Sequence, residues 1–257
     1  MARVSLIPSQ PMATEITPKK LKKIKGWFSR LDQKIFKFLL NEADDLCGGG
    51  DAAEIGVYLG KSAVLIGSYM RPGEVLTVVD LFGAPASDDD NREENKIFAP
   101  KISIEKFREN FLRFHPELPV TIQGLSSVIT DHASHGSHKF VHVDASHQYE
   151  HAKEDIASAR VLLKPQGIVA VDDYLHPNYP GVGAALWDAV AGGLNPVLLT
   201  PFKFYGTWGD PQPWKDRVAE NLDILGAPHE EISLRGTRVH RFSIELPVIV
   251  RKLLKLS

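Results

Sequence analysis

Three aspartates stand at two places in the sequence where polar residues directly follow short apolar runs. Asp144 follows one such run, and the adjacent Asp172 and Asp173 follow the next. If both runs are strands of one parallel sheet, their carboxyl ends meet at the edge where open α/β sheets bind ligands. Carboxylates that converge resist ionisation unless a cation neutralises them, and such oxygen ligands suit Mg²⁺. The pattern predicts a Mg²⁺ site at these three residues, with solvated or helix-capping aspartates as the alternative.

A glycine-rich segment further upstream predicts a nucleotide site. Gly56 and Gly60 lie between a predicted strand and a predicted helix, where the chain must turn tightly and approach a ligand closely. Asp80 ends the next strand and is placed to accept hydrogen bonds from ribose hydroxyls, with Phe82 against a purine. A turn residue that ends a strand is the alternative for Asp80. The spacing is not the G-x-G-x-x-G of dinucleotide folds.

The run E-I-G-V-Y-L-G-K-S, followed by a strand-ending acid, resembles motifs I and II of the class I S-adenosylmethionine-dependent methyltransferases. The resemblance implies S-adenosylmethionine as cofactor and a Rossmann-like fold. After the third strand, Gly124-Leu125-Ser126 is similar to the Gly-x-Ser beside the adenine in catechol-type O-methyltransferases, although an ordinary turn has the same residue types. The cofactor residues that these resemblances imply, together with Phe82, are Glu54, Gly56, Tyr58, Gly60, Ser62, Asp80, Ser126 and Asp144.

Catechol-type O-methyltransferases also resemble this chain at the acidic end, with two departures. His147 stands where those enzymes carry lysine, and Asp173 stands where they carry asparagine. A histidine titrates near neutral pH, which suits a general base acting on a metal-bound hydroxyl. We therefore predict His147 and Asp144 as catalytic residues, with a surface residue at a helix start as the alternative for His147. Asp173 adds negative charge and leaves the exact ligand set open.

The runs D-x-x-H-x-Y from Asp144 and D-D-Y from Asp172 resemble the macrocin-type sugar O-methyltransferases over residues 54–190. This resemblance implies a small saccharide as substrate. The basic arm, compact size and aromatic tail are similar to the mycobacterial methylmannose-polysaccharide O-methyltransferases, which would make the acceptor a mannoside. Two alternatives remain: O-methylation of a non-sugar hydroxyl, catechol-like or on an antibiotic, and a catalytically inactive cofactor-binding protein. An oxidoreductase is disfavoured because the G-x-G-x-x-G fingerprint is missing.

Short apolar runs alternate with amphipathic stretches, which predicts one doubly wound, mostly parallel α/β sheet of seven strands with helices on both faces. Residues 1–47 are expected to form a flexible basic arm and a first helix over 26–47, and residues 48–257 the catalytic domain. The acidic loop 82–100 would suit a lid. The expected strands are 52–55, 75–79, 120–123, 140–143, 168–171, 196–200 and 238–244, and the main helices are 62–70, 102–114 and 149–163.

The bulk composition excludes several classes of protein. The 257 residues carry a net charge of -2, which argues against a protein that binds nucleic acid through phosphates. Cys47 is the one cysteine, so no internal disulfide is expected, and no apolar run reaches the roughly 20 residues that span a bilayer. The sequence therefore predicts a cytoplasmic protein with a small-molecule partner and no nucleic acid or membrane span, and aromatic residues of the tail are consistent with a homodimer.

Overall fold

The computed structural model describes residues 16–86, 92 and 102–244, and within them nine strands form one sheet. The sheet order is β3-β2-β1-β4-β5-β7-β6-β9-β8, and neighbours from β3 to β5 are parallel. Strand β7 is antiparallel to both β5 and β6. The strands are β1 (Asp51–Ile55), β2 (Leu76–Asp80), β3 (Val120–Gln123), β4 (His138–Val143), β5 (Leu163–Asp172), β6 (Asn195–Leu199), β7 (Lys203–Thr207), β8 (His229–Leu234) and β9 (Thr237–Phe242).

The predicted α/β class and the mostly parallel sheet are confirmed, but the expected number of seven strands is wrong. All seven predicted strands are present, and β7 and β8 are additional. Strand β7 begins with a charged residue, Lys203, two positions after Pro201, so its apolar character was not recognised. Strand β8 is largely exposed and polar, so it lacks the apolar run by which a buried strand is recognised.

Helices cover both faces of the sheet because successive strand residues point to opposite sides. Phe140 packs in the core on one face and Val141 in the core on the other. Ser29 caps the long helix α2 by accepting a hydrogen bond from the Asp32 amide at 2.9 Å. The helices are α1 (Pro18–Leu21), α2 (Arg30–Leu46), α3 (Lys61–Gly67), α4 (Ile104–Leu112), α5 (Ile129–His132), α6 (Tyr149–Leu162), α7 (Pro180–Ala191), α8 (Gln212–Glu220) and α9 (Leu222–Leu225).

The segment before α2 differs from the predicted flexible arm. Leu21 and Ile24 are fully buried in the core, and Lys37 of α2 donates a hydrogen bond to the Ile16 carbonyl at 3.0 Å. The lysines of this segment masked its apolar residues, so the sequence suggested a solvated stretch. Residues 1–15 and most of the acidic loop 82–100 lie outside the described residues. The predicted lid falls in that loop and therefore stays a prediction.

The sheet order reverses at β1, which pairs with β2 on one side and β4 on the other. A crevice forms outside the carboxyl ends of strands at such a switch point, and ligands bind there in open α/β sheets. None of the described helices combines the length and apolar character needed to cross a membrane.

Candidate active site

A cavity of about 840 Å³ lies at the carboxyl ends of β1, β2, β4 and β5. The turn after β1 and the end of β2 line one side, and the loops after β4 and β5 line another. Residues 25–29 also contact it, and the Lys61 ammonium donates to the Gly26 carbonyl, which ties this segment to the start of α3. The cavity therefore joins the two ends of the site that the sequence pointed to.

Glycines are required in the turn after β1. Gly56 has φ +84°, and a Cβ there would lie 2.0 Å from the carbonyl oxygen of Asp144. Gly60 has φ +85°, and its Cβ would lie 2.7 Å from the ring of Phe107. Both positions combine the left-handed backbone that favours glycine with a close approach that no side chain allows.

Asp80 fixes this turn from the end of β2. Its Oδ2 accepts hydrogen bonds from the amides of Val57 at 2.7 Å and Tyr58 at 2.8 Å, and its Oδ1 accepts from the amide of Phe82 at 2.7 Å. Tyr58 is held with φ +51°, which is uncommon for a residue with a side chain. Burial raises the pKa of Asp80, and the three amide hydrogen bonds oppose that rise. The carboxylate thus organises the loop in addition to facing the cavity.

Most of the predicted cofactor residues line the cavity, and three do not. Glu54 is fully buried beneath the site, where its Oε1 lies 2.7 Å from His142 Nδ1. The Phe82 ring packs in the core against Phe107, with ring centroids 5.2 Å apart, so it does not face the cavity as a purine contact would. Gly60, at the end of the turn, packs against Phe107 and does not line the cavity. The cavity-lining members are Gly56, Tyr58, Ser62, Asp80, Ser126 and Asp144.

The predicted acidic residues do come together, but around a lysine that the sequence analysis missed. Lys203 Nζ contacts Asp172 Oδ2 directly, lies 3.9 Å from Asp144 Oδ2, and lies 2.9 Å from His142 Nε2. Lys203 and Asp172 are register partners in the antiparallel pair β5 and β7. A charged residue between Phe202 and Phe204 was the available signal, because such a residue in a buried strand needs a partner.

Asp173 points to a different partner. Its Oδ2 lies 3.0 Å from His147 Nε2, and the His147 ring stacks on Tyr179 with centroids 4.4 Å apart. Asp173 itself has φ +56° and donates its amide to Asp172 Oδ1 at 3.0 Å. A non-glycine residue held in this backbone region marks a position that the surrounding structure constrains. The result is a histidine and carboxylate pair on the cavity wall.

The pKa directions follow from these contacts. Burial and then the neighbouring Asp172 raise the pKa of Asp144 well above its ordinary value. Burial raises the pKa of Asp172 too, although Lys203 opposes it. For Asp173, burial acts in the raising direction, but the hydrogen bond and charge of His147 outweigh it and lower the pKa. Asp173 is therefore the carboxylate best suited to support a positive charge on His147.

The acidic cluster contains possible metal ligands, but several of their ligand atoms already contact other protein groups. In the part of the chain that the structure describes, ligand atoms of His142, Asp144 and Asp172 lie within 4.8 Å of one another. The ammonium of Lys203 contacts all three of these residues, and both oxygens of Asp172 have protein donors. The predicted set of Asp144, Asp172 and Asp173 has suitable oxygen donors, yet it does not fit Mg²⁺ without displacing protein partners.

Further tyrosine, histidine and aromatic side chains near the site differ in whether they line the cavity. Tyr149 and Tyr174 lie outside the cavity: the Tyr149 hydroxyl donates to Asp188 at 2.7 Å, and the Tyr174 hydroxyl donates to the Thr200 carbonyl at 3.1 Å. His151 and His176 line the cavity. Among the aromatic residues of 201–214, Phe202 lines the cavity, and three others are fully buried, namely Phe204, Tyr205 and Trp214.

Comparison with known proteins agrees with this geometry. The family model of a methyltransferase domain matches residues 53–174. The O-methyltransferase NovP is similar in structure, with a TM-score of 0.55, 18% identity, and coverage of 69% of this chain and 80% of NovP. A protein from Corynebacterium glutamicum has a TM-score of 0.53 at 16% identity, covering 77% of this chain and 93% of its own.

CalS11, described as a calicheamicin methyltransferase, has a TM-score of 0.50 at 16% identity and covers 80% of this chain and 100% of its own. A comparison with curated protein sequences found no match. These identities establish the fold and leave the reaction to the site itself. The chain has the α/β fold of class I methyltransferases, and its residues 53–174 match the methyltransferase domain.

Proposed function

We propose that this protein transfers a methyl group from S-adenosylmethionine to a hydroxyl group of a small molecule, with a saccharide as the favoured acceptor. One observation carries the proposal: a continuous cavity contacts the glycine turn and Asp80 at one side and the His147–Asp173 pair at the other. A methyl donor and a hydroxyl acceptor can therefore lie next to each other, which is the main requirement of direct transfer.

S-adenosylmethionine supplies an electrophilic methyl group on a sulfonium. The turn that carries Gly56 and Tyr58, fixed by Asp80, holds this cofactor in the proposal, with Ser62 and Ser126 as further contacts. The close approach that Gly56 allows keeps the end of β4 next to the turn. The donor is thereby positioned by the elements that also place Asp144.

His147 is the general base of the proposed reaction. It would take the proton of the acceptor hydroxyl as the oxygen bonds to the methyl carbon, while the methyl–sulfur bond breaks and S-adenosylhomocysteine leaves. Asp173 would stabilise the imidazolium that results. The low pKa of Asp173 keeps that carboxylate charged at neutral pH. Stacking on Tyr179 further restricts the imidazole ring. No step of this reaction depends on the Mg²⁺ ion that the sequence predicts at Asp144, Asp172 and Asp173.

Aromatic side chains around the cavity support a saccharide acceptor. Trp27 is 74% exposed and lies against Tyr58, with centroids 5.6 Å apart, and Phe202 is 41% exposed. Exposed rings on a cavity wall offer flat apolar surfaces that suit the apolar face of a sugar. NovP and CalS11 are named as an O-methyltransferase and a calicheamicin methyltransferase, which favours small-molecule acceptors. A mannoside of a methylmannose polysaccharide is the narrowest form of this proposal, and a catechol-like or antibiotic hydroxyl is the alternative.

The test is release of S-adenosylhomocysteine with mannosides, other glycosides and catechols as acceptors. Wild-type protein should release it with at least one glycoside, and His147→Ala should bind S-adenosylhomocysteine normally in calorimetry while losing turnover. Binding without turnover for every acceptor would favour a cofactor-binding protein that lacks catalysis. Absence of any S-adenosylmethionine or S-adenosylhomocysteine binding would refute the proposal.

A further inference from the structure

We infer that Lys203 is the fixed cation of the acidic cluster, and that it holds Asp172 and Asp144 in place so that methyl transfer needs no divalent metal. The second half of this inference rests on the proposed function. Lys203 is a positioning residue here, because it acts through the two carboxylates. The inference would replace the Mg²⁺ that the three aspartates suggest by themselves.

The contacts of Lys203 place its charge where a metal ion would otherwise be needed. Nζ contacts Asp172 Oδ2, lies 3.9 Å from Asp144 Oδ2, and lies 2.9 Å from His142 Nε2. These are the same three residues whose ligand atoms cluster within 4.8 Å. A cation among converging carboxylates is what their ionisation requires, and the protein supplies one from its own strand.

The position of this ammonium is fixed on every side. Lys203 is 1% exposed, and its Nζ lies 5.8 Å from the ring centroid of Phe28 and 5.9 Å from that of Phe36. The backbone register sets Lys203 directly opposite Asp172. Displacing the ammonium to admit Mg²⁺ would leave a buried charge without its partner, which is strongly unfavourable.

A hydrogen-bonded chain orients the nitrogen that Lys203 contacts. Glu54 and His142 are register partners in β1 and β4, and Glu54 Oε1 lies 2.7 Å from His142 Nδ1. When Nδ1–H donates to Glu54, Nε2 becomes the acceptor for the Lys203 ammonium at 2.9 Å. His142 thus serves as a lysine partner, and its basic nitrogen is not available to a metal.

Asp172 is engaged on its second oxygen as well. Oδ1 accepts the amide of Asp173 at 3.0 Å, so both oxygens have protein donors. A divalent ion at this carboxylate would have to break one of these contacts. The pKa of Lys203 agrees with a permanent cation: burial acts to lower it, but Asp172 and Asp144 outweigh burial and raise it.

The experiment compares wild-type protein with Lys203→Met and with a matched control, Lys139→Met. Lys139 is also fully buried and also bonded to two carboxylates, Asp44 at 2.9 Å and Glu74 at 2.6 Å, but it lies at the opposite end of the sheet. Mn²⁺ is titrated against each protein and the free ion is followed by electron paramagnetic resonance. Methyl transfer is measured in parallel with EDTA and with added Mg²⁺.

Wild-type protein should bind no stoichiometric Mn²⁺. Lys139→Met should bind none either, because Arg71 still neutralises Asp44. Both proteins should transfer methyl groups equally with EDTA or Mg²⁺. Lys203→Met should gain a Mn²⁺ site with at least about tenfold higher affinity, because Asp172, Asp144 and the neighbouring His142 nitrogen then lack a cation. Lys203→Arg, which keeps the charge, should stay without such a site. A merely structural lysine would not create metal binding when it is removed.

The inference is overturned if wild-type protein binds one Mn²⁺ per chain and loses turnover in EDTA with recovery in Mg²⁺. It is also overturned if folded Lys203→Met gains no Mn²⁺ affinity. Should that variant fail to fold, judged by circular dichroism, the wild-type titration and EDTA assay still decide. Failure of the proposed function is distinguishable, because absence of turnover with all acceptors leaves the Mn²⁺ titrations unaffected.

Discussion

Two buried lysines lie at opposite ends of the same sheet, and each contacts two carboxylates. Lys139, near the amino end of β4, pairs with Asp44 and Glu74. Lys203, beside the carboxyl end of β5, contacts Asp172 and lies near Asp144. The two clusters share their chemistry, so their different surroundings show what turns an ion pair into a reactive site.

Charge balance and access separate the two clusters. At the amino end, Arg71 adds a second cation at 2.6 Å from Asp44, so two acids face two bases, and the acids are 13% and 12% exposed. At the carboxyl end, Asp173 makes a third acid for one lysine, and the cluster opens onto the cavity. A balanced, closed cluster stabilises the fold, whereas a surplus of negative charge next to a cavity suits proton transfer and a cationic methyl donor.

The largest expected effect is on the carboxyl end, where His147→Ala should lower kcat by about 10²- to 10⁴-fold because the general base is lost. The free energy of unfolding should change little. Steady-state release of S-adenosylhomocysteine checks the rate, and urea unfolding checks stability. His132→Ala, at an exposed histidine outside the cavity, is the control. An unchanged kcat in His147→Ala would contradict the assignment of proton transfer to the carboxyl-end cluster.

At the amino end, Lys139→Met should lower the free energy of unfolding by about 3–5 kcal/mol, because Glu74 loses its ammonium partner and Asp44 keeps only Arg71. The value of kcat per folded molecule should stay at the wild-type level. Chemical denaturation with activity normalised to the folded fraction measures both. A fall in kcat with unchanged stability would mean that the two ends do not differ as described.

The glycine turn and the three aspartates could be predicted because their positions depend on local sequence. A strand places the residue after it at the sheet edge, and Gly56, Asp80, Asp144 and Asp172 all follow or end such runs. The sheet class follows from the same alternation of strands and helices. Local sequence therefore predicted where these residues lie along their strands.

The partners of those residues depended on contacts between distant strands, and these could not be predicted. Lys203 meets Asp172 only because β7 pairs antiparallel with β5, a register that no local pattern reveals. Glu54 was assigned to the cofactor, but its strand partner His142 lies beside it inside the sheet. Phe82 was predicted to contact a purine, but its backbone has a φ of +47° and its ring packs against Phe107 in the core.

Glu54 and Glu74, one near each cluster, should affect the free energy of unfolding with opposite pH dependences. Burial raises the pKa of Glu54 to about 8, so the folded chain keeps a proton that the unfolded chain releases above its ordinary pKa of 4.5. Stability from this residue therefore falls as pH rises from 4.5 to 8. The hydrogen bonds of Glu74 lower its pKa although burial opposes them, so its contribution falls as pH drops through that lowered pKa.

Glu54→Gln, which keeps the neutral form, should remove the first dependence and stabilise the protein at pH 8.5 by on the order of 3 kcal/mol relative to wild type. At pH 5 the two proteins should be nearly equal. Glu74→Gln should instead flatten the acid side of the profile. Urea unfolding from about pH 3 to pH 9 measures both, and parallel profiles for the two variants would contradict the assigned pKa directions.

The smallest expected change concerns Asp80, a carboxyl-end acid that accepts hydrogen bonds from three backbone amides. Asp80→Asn places an amide nitrogen where an oxygen now accepts from the amides of Val57 and Tyr58 or of Phe82. The loss of a charge-assisted hydrogen bond should loosen the turn and weaken S-adenosylhomocysteine binding roughly tenfold, or about 1.4 kcal/mol. Isothermal titration calorimetry measures the affinity.

Asp51 provides the matched control from the amino end of the sheet. It also accepts a backbone amide, that of Val75 at 2.8 Å, and a hydroxyl, that of Ser137 at 2.9 Å, but it lies outside the cavity. Asp51→Asn should therefore leave S-adenosylhomocysteine affinity unchanged while costing some stability. Asp80 contacts the cofactor turn directly and Asp51 does not, so only Asp80→Asn should weaken binding. Equal losses of affinity in both variants would show that the Asp80 effect reflects a general loosening of the sheet.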